Sequence, residues 1–393
     1  MTYKNVSVNN LSLPLTVAHS VLAWLPLTEI WLYRQIKNMN KVRSIVLSRQ
    51  LVHPEQFPCS PLYTISKQWL FLFKVSRRLG YRWLPANYNK AVQEHQVKIL
   101  HSHFGHIGWY DVPLAAKHNL KQIVTFYGAD VNMWPKQRPV WRTRYQDMFA
   151  WSDLFLCEGP YMAQSLVELG CPKEKVRVQR LGVDVDEIAY IPRKMMPGES
   201  LKILIAGTFR EKKGMPYALE AVGQLYRKGI DVQVTIIGDS GGYERDEIEK
   251  RKILDVIARY DMQTVVRLLG YQPYARLLAE AYKHHIFMSP SVKAADGDTE
   301  GGAPVTLIDL MASGMPIIST SHCDIPQIVQ HGRTGLLASE RNVDELVTHL
   351  QWLIDHPQKW EELTARGRQH IETNFNARIQ AIIQENIYKE ILQ

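Results

Sequence analysis

Lys202-Ile-Leu-Ile-Ala-Gly207-Thr208-Phe-Arg210-Glu-Lys-Lys213-Gly214 reads as a strand, a glycine turn and a group of cations delivered to the strand's C-terminal edge. A short apolar run closed by glycine suits a parallel strand covered on both faces. The pattern recurs downstream at residues 233–238, 265–269, 286–289 and 316–319, with amphipathic stretches between the runs. Upstream it is already present at residues 15–23, 44–47, 99–103, 122–126, 154–157 and 176–179. Such alternation is the rhythm of strand–helix–strand units and a parallel sheet. Residues 182–200 carry Pro and Gly without a strong period and read as an interdomain linker. The expected fold class is therefore α/β, with two Rossmann-like doubly wound domains facing each other across a cleft. The expected domains are residues 1–190 and 191–374, with residues 375–393 as a helix that packs back on the first domain. Ile379, Ile382, Ile383, Ile387 and Ile391 mark its expected apolar face. Ligands of such sheets collect beyond the C-terminal ends of the strands, so the cleft is where chemistry is expected.

The 393 residues suit two domains, and 46% hydrophobic with 22% charged residues is an ordinary globular balance rather than that of a disordered chain. Cys59, Cys157, Cys171 and Cys323 form neither a CxxC pair nor a disulfide ladder, which suits a reducing compartment. The most hydrophobic stretch, Leu11 to Leu32, is broken by Pro14, His19, Pro26 and Glu29 and is not a bilayer span. The opening residues also lack a signal-peptide core. A cytoplasmic chain able to lie on the inner face of the cell membrane is expected. Of the net charge of +8, the first 100 residues hold more than all, with 13 Lys and Arg against 3 acids. That imbalance points to a phosphate-rich or membrane-surface partner for the first domain. The segment from Lys67 to Trp83 mixes aromatics with Lys67, Lys74, Arg77, Arg78 and Arg82. It reads either as an ordinary helix with a basic outer face or as an element that grips anionic lipid.

Ser289 to Thr320 is the richest segment. A strand ends near Pro290, Glu300-Gly301-Gly302 forms a loop, and Pro304 is expected in the first helical turn. Free amides at such a helix start cradle an anion or a sugar hydroxyl. Glu300 and Asp309 bracket the loop, placed to accept hydrogen bonds from vicinal hydroxyls; the plainer alternative is favourable charge near a helix N-terminus. Arg210, Lys212 and Lys213 could neutralise a diphosphate or simply form a solvated face. Asp296-Gly-Asp298 could hold a divalent cation, but a turn is the favoured reading. His101 and His103 are read as pointing to opposite faces of a strand, which makes them a poor metal pair. No metal site is expected.

With His101-Ser-His103-Phe-Gly105, Thr125-Phe-Tyr127-Gly128-Ala-Asp130, Glu158-Gly-Pro-Tyr-Met-Ala, Gly182-Val-Asp184 and Gly332-Arg-Thr-Gly335, these segments resemble the family-4 retaining glycosyltransferases of the GT-B fold. The likeness covers nearly the whole chain and is greatest to the exopolysaccharide, colanic-acid-type branch. It implies metal-independent transfer, with retention of anomeric configuration, from a UDP- or GDP-linked sugar to a saccharide or lipid-linked acceptor, with no further cofactor. By resemblance Lys213 is the diphosphate-binding lysine. Thr208 stands where the family has its companion arginine, and Arg210 is its surrogate. Glu300 addresses the transferred sugar and Asp309, a shorter acid one residue further on than usual, the ribose. Gly301, Gly302, Ala303, Gly207 and Thr208 line the donor, and Gly270-Tyr271 frame the nucleobase. Thr28 and Glu29 face the acceptor, with Tyr127, Gly128 and Asp130. Tyr127 replaces a common family histidine, leaving His103 as the imidazole expected near the sugar. Front-face substitution is implied because no carboxylate stands out as a nucleophile.

Two rivals share parts of this pattern. A GT-B sugar-nucleotide epimerase would need no acceptor and would interconvert donors alone. A basic nucleic-acid binder would use the first domain, but no RNA-binding aromatic motif or recognition helix is visible.

Overall fold

The computed structural model describes residues 14–26 and 29–393. Seven parallel strands build the first sheet: β1 Leu15–Trp24, β2 Val42–Leu51, β3 Leu62–Thr64, β4 Ile99–His103, β5 Lys121–Thr125, β6 Leu154–Cys157 and β7 Val176–Val178, in the order β3-β2-β1-β4-β5-β6-β7. Six build the second: β8 Leu201–Ala206, β9 Val232–Ile237, β10 Val266–Leu268, β11 Ile286–Ser289, β12 Ile317–Thr320 and β13 Leu336–Ala338, in the order β10-β9-β8-β11-β12-β13. Both are open and doubly wound. Central strands such as β1 and β4 are buried along most of their length, β4 even through its polar residues His101, Ser102 and His103. The edge strands β3 and β13 lie outside the expected runs, whereas β7 and β10, edge strands of the same three-residue length, fall within the expected runs 176–179 and 265–269.

The linker is not loose. Val183 pairs with Asn376, exchanging backbone hydrogen bonds with Phe375 and Ala377 at 2.8 and 2.9 Å, and the amides of Ile191 and Arg193 dock on Ser313 and Gly314.

The last helix, Ala377–Glu390, packs on the first sheet, with Ala381, Ile387 and Tyr388 against Val17, Ile99, Ile123 and Leu156. Its buried face differs from the expected isoleucine stripe, for Ile379, Ile382 and Ile383 are exposed. Gln380, Gln384 and Glu385 are buried instead. They are turned inward by polar partners: Gln384 bonds His101, Gln380 bonds Gln179, and Glu385 accepts the amides of Asn40 and Lys41. A buried polar group without such a partner is costly, so the polar ends set the rotation of the helix.

Candidate active site

The strand–glycine–cation unit that opens the second sheet is folded tightly. Glu211–Lys213 forms a short 3-10 turn, and Gly214 follows at φ +61°, where a Cβ would lie 1.9 Å from the carbonyl oxygen of Pro290. Only glycine allows that approach. The turn aims three cations at two carboxylates. Lys213 Nζ donates to Glu300 Oε2 at 2.9 Å, Lys212 Nζ reaches Asp298 Oδ1 at 3.4 Å, and Arg210 pairs with Asp298. Burial alone would raise the Glu300 carboxyl, but Lys213 and Lys212 outweigh it and hold the pKa down at about 2. The same burial lowers Lys213, and Glu300 only partly restores it. Lys213 is thus a half-buried, paired cation rather than a solvated one.

Asp296 and Asp298 form a turn, the side chain of Asp296 accepting the Asp298 amide at 2.9 Å. Arg210, Lys212 and Arg245 take up both carboxylates.

The expected anion cradle is engaged within the protein. Pro304 sits just before the helix Val305–Ala312 rather than within its first turn. The amide of Gly301 donates to Thr299 at 3.1 Å, that of Glu300 to His322 at 3.2 Å, and that of Ala303 to the carboxyl of Glu158. Glu158 belongs to the first domain. Burial pushes its carboxyl well above the usual range, although the Ala303 amide opposes the shift. A Cβ on Gly302 would lie 2.1 Å from Glu158 Oε2, and one on Gly301 2.2 Å from the Cα of Gly128. Gly128 and Gly301, at φ +116° and +78°, bring the loops after β5 and β11 into direct contact. Side chains at either position would part the domains.

Asp309 lies at the domain junction. Its Oδ1 accepts from Arg34 Nη1 at 3.0 Å and from the Tyr274 hydroxyl at 2.8 Å, and Arg34 also approaches Asp184. On the second domain's far strand end, the carbonyl of Gly270 accepts the Gly238 amide at 2.9 Å, and Tyr271 is half exposed. Gly207 and Thr208 follow β8, Gly207 donating its amide to Ile237 at 2.9 Å.

Across the cleft, the Tyr127 ring makes tilted contacts with Trp31 and Phe104, with ring centroids 4.3 and 4.8 Å away, and its hydroxyl meets His103 Nδ1 at 2.7 Å. Asp130 accepts the amides of Gly105 and Tyr127 at 2.8 and 3.1 Å, so it pins the loops after β4 and β5. Beside them opens a largely apolar cavity of about 430 Å³, walled by Val21, Phe104, Trp134 and Trp141, with Glu29 and Asp130 at its polar points. Burial raises Glu29 to about 7 and Asp130 to about 6, the latter against its backbone donors. Glu29 precedes the helix Ile30–Lys37 without capping it. Thr28 lies outside the described residues.

The two histidines correct their expectation. A strand repeats every two residues, so His101 and His103 share a face, and their rings stack at 4.3 Å with His19 from β1 beside them.

Residues 36–187 match the model described as Glycosyltransferase Family 4, and residues 188–370 match Glycosyl transferases group 1. The chain belongs to the family-4 glycosyltransferases. It is 32% identical over 282 residues to WcaL of Salmonella typhimurium, named for colanic acid biosynthesis, and equally to the amylovoran biosynthesis glycosyltransferase AmsK of Erwinia amylovora. Each match covers 70% of this chain and 66% of the relative, so the chain spans just under two thirds of their length. Among solved structures, Anabaena HepE in complex with UDP and glucose aligns with 95% of this chain and all of its own chain, at a TM-score of 0.76 and 14% identity. That likeness shows the shared GT-B fold. None of these relatives supports the epimerase alternative.

Sequence reasoning missed Arg34, Glu158, Tyr274 and His19. Glu158 opens the Glu158-Gly-Pro-Tyr-Met-Ala motif, but nothing local reveals that its carboxyl crosses to Ala303. The other three act through partners distant in sequence.

Proposed function

We propose that this chain transfers a sugar from a UDP- or GDP-linked donor to a saccharide or lipid-linked acceptor in the synthesis of cell-surface polysaccharide, with retention and without a catalytic metal. The reading rests above all on one arrangement. Arg210, Lys212 and Lys213 outnumber the Asp298 and Glu300 carboxylates they meet, beside a Gly128–Gly301 junction that joins the C-terminal edges of both sheets.

A donor diphosphate would draw on Lys213 and Arg210 and take the Ala303 amide from Glu158, whose raised pKa lets it leave as a neutral acid. Asp309 would hold the ribose once Arg34 yields, and Gly270-Tyr271 would flank the base. As the glycosidic bond to the β-phosphate breaks, charge grows on the leaving oxygen, and preorganised cations stabilise it most at that point. The acceptor hydroxyl would come from the cavity lined by Trp134 and Trp141 and attack the same face. The leaving phosphate oxygen would take its proton, so no carboxylate nucleophile is needed.

Membrane attachment belongs to the same proposal. The helix Lys67–Arg78 exposes Trp69, Phe71 and Leu72, followed by exposed Leu79 and Tyr81. Arg78 is exposed beside them, whereas Arg82 pairs with Asp147 and stacks on Trp109 at 4.1 Å, away from a lipid-gripping role. The side chains of Lys67, Lys74 and Arg77 lie outside the described part. Among the described residues, no helix is long and apolar enough to cross a membrane.

The deciding experiment is a thermal-shift panel of UDP-, GDP- and ADP-sugars, since a ligand of the native state raises the melting temperature by mass action. The donor found is then offered with a lipid-linked saccharide, and the anomeric configuration of the product is read by NMR. Absence of any nucleotide-sugar shift or transfer would overturn the reading, and an inverted product would overturn retention.

A further inference from the structure

The register of β1 on β4 sets His19 opposite His101, and His103 lies on the same face. All three rings are fully buried. Three ring nitrogens, one from each histidine, lie within 4.8 Å of one another, a spacing that would suit a metal ion. Yet five of the six nitrogens already hold protein partners, and tracing those bonds leads to one place.

The first chain starts at His19. Its Nε2 is buried and has no partner, while its Nδ1 meets His103 Nε2 at 3.1 Å. A buried orphan N–H is rarer than an orphan acceptor, so the His19 proton belongs on Nδ1, donating to His103. His103 must then carry its own proton on Nδ1, which faces the Tyr127 oxygen at 2.7 Å.

The second chain starts at the last helix. Gln384 Nε2, at 3.1 Å, and the Tyr388 hydroxyl, at 2.6 Å, both point at His101 Nδ1 and make it an acceptor. The His101 proton therefore sits on Nε2 and donates to Thr125 Oγ1 at 2.6 Å. The Thr125 hydroxyl in turn bonds Tyr127.

Two donors thus converge on one phenolic oxygen and fill its lone pairs. We propose that the buried histidines make Tyr127 a one-way hydrogen-bond donor, its proton directed to an oxygen of the substrate bound at the Gly128–Gly301 junction. The chemical class of its partner is an electron-rich sugar or phosphate oxygen of the donor. His19 and His103 are positioning residues that act through Tyr127. The inference rests on the transferase reading above.

Imidazole ¹⁵N NMR of the intact chain tests the tautomers without any substrate. Protonation at Nδ1 of His19 and His103 and at Nε2 of His101 is expected, and a His103 protonated at Nε2 overturns the proposal. Kinetics test the consequence. Tyr127→Phe should lower kcat by about tenfold, the scale of one lost hydrogen bond in the transition state, with a smaller change in KM. His19→Leu frees His103 to take the other tautomer and turn the Tyr127 proton inward, so it should lose a similar factor. The double variant should lose no more than either single one. His19→Asn, which keeps a donor, should recover part of the rate. If the parent turns over nucleotide sugar but Tyr127→Phe matches it, this inference fails and the transferase reading stands. If the parent transfers no sugar, the transferase reading fails, whatever the NMR shows.

Discussion

Arg34 and Asp309, 275 residues apart, form a buried ion pair at 3.0 Å that ties the helix after β1 to the helix after the Glu300 loop. The pair joins the two domains at the carboxylate assigned to the ribose. Removing one partner of a buried pair leaves an unmatched charge, at a cost of about 3–5 kcal/mol. Arg34→Leu should therefore lower the unfolding free energy by that order, read by chemical denaturation. Asp309→Asn should weaken free nucleotide and nucleotide sugar alike, roughly tenfold or more, since a charge-assisted hydrogen bond contributes about 1.5–3 kcal/mol. Unchanged nucleotide binding in Asp309→Asn would leave Asp309 a purely interdomain residue.

Lys213→Ala should lower kcat by ~10²-fold or more, the scale for losing one preformed charge stabiliser. Because buried Glu300 then keeps only Lys212, 3.9 Å away, as its cation, the single variant should also melt earlier than the parent. Adding Glu300→Gln should restore part of the melting temperature but not the rate. Near-normal turnover in a folded Lys213→Ala would remove Lys213 from the mechanism.

Acid stability follows from Glu300. Its folded pKa of about 2 lies below the ordinary value of 4.5. A depressed carboxyl contributes stability that is fully present above its unfolded pKa and fades as pH falls toward the folded one. The window is therefore about pH 4.5 down to 2. Glu300→Gln should flatten the melting-temperature profile there, and an unaltered acid limb would contradict the pairing with Lys213.

Transfer should survive EDTA. Asp296 and Asp298 are already answered by Arg245, Arg210 and Lys212, which supply positive charge where a divalent cation would otherwise sit. Activity lost to chelator and restored by Mn²⁺ or Mg²⁺ would make that turn a metal site.

Vesicle binding should require anionic lipid and weaken with salt, because exposed charges are screened within about 10 Å at 0.1 M. Replacing Phe71 and Leu72 by Ser and Arg78 by Gln should reduce co-sedimentation without changing nucleotide affinity. Equal binding by parent and variant would return this helix to an ordinary solvent-facing element.

Much of the fold was legible because parallel strands buried on both faces leave continuous apolar runs. Residues 154–157 and 286–289 match β6 and β11 end to end, and residues 99–103 match β4 although His101, Ser102 and His103 interrupt its apolar run. The period locates the last helix but not its rotation. Isoleucine spacing says which residues share a stripe, not what the neighbouring sheet offers, and the sheet offers His101 and Gln179. In the site, turn chemistry and charge put Lys213 and Glu300 on facing loops and the structure pairs them, whereas the amides beside Glu300, expected free, are engaged.

The linear chain by itself determined the two series of strands, the glycine turns that end them and the cations and acids carried on the following loops. All of these depend on φ/ψ preference and local burial pattern, which a residue carries with it. Only the tertiary structure decided that Arg34 meets Asp309, that Glu158 covers Ala303, and that three histidines from two strands line up behind Tyr127. A buried polar group must find its partner wherever the packed chain provides one. That partner is chosen by how the two sheets face each other, a relation no local stretch of sequence contains.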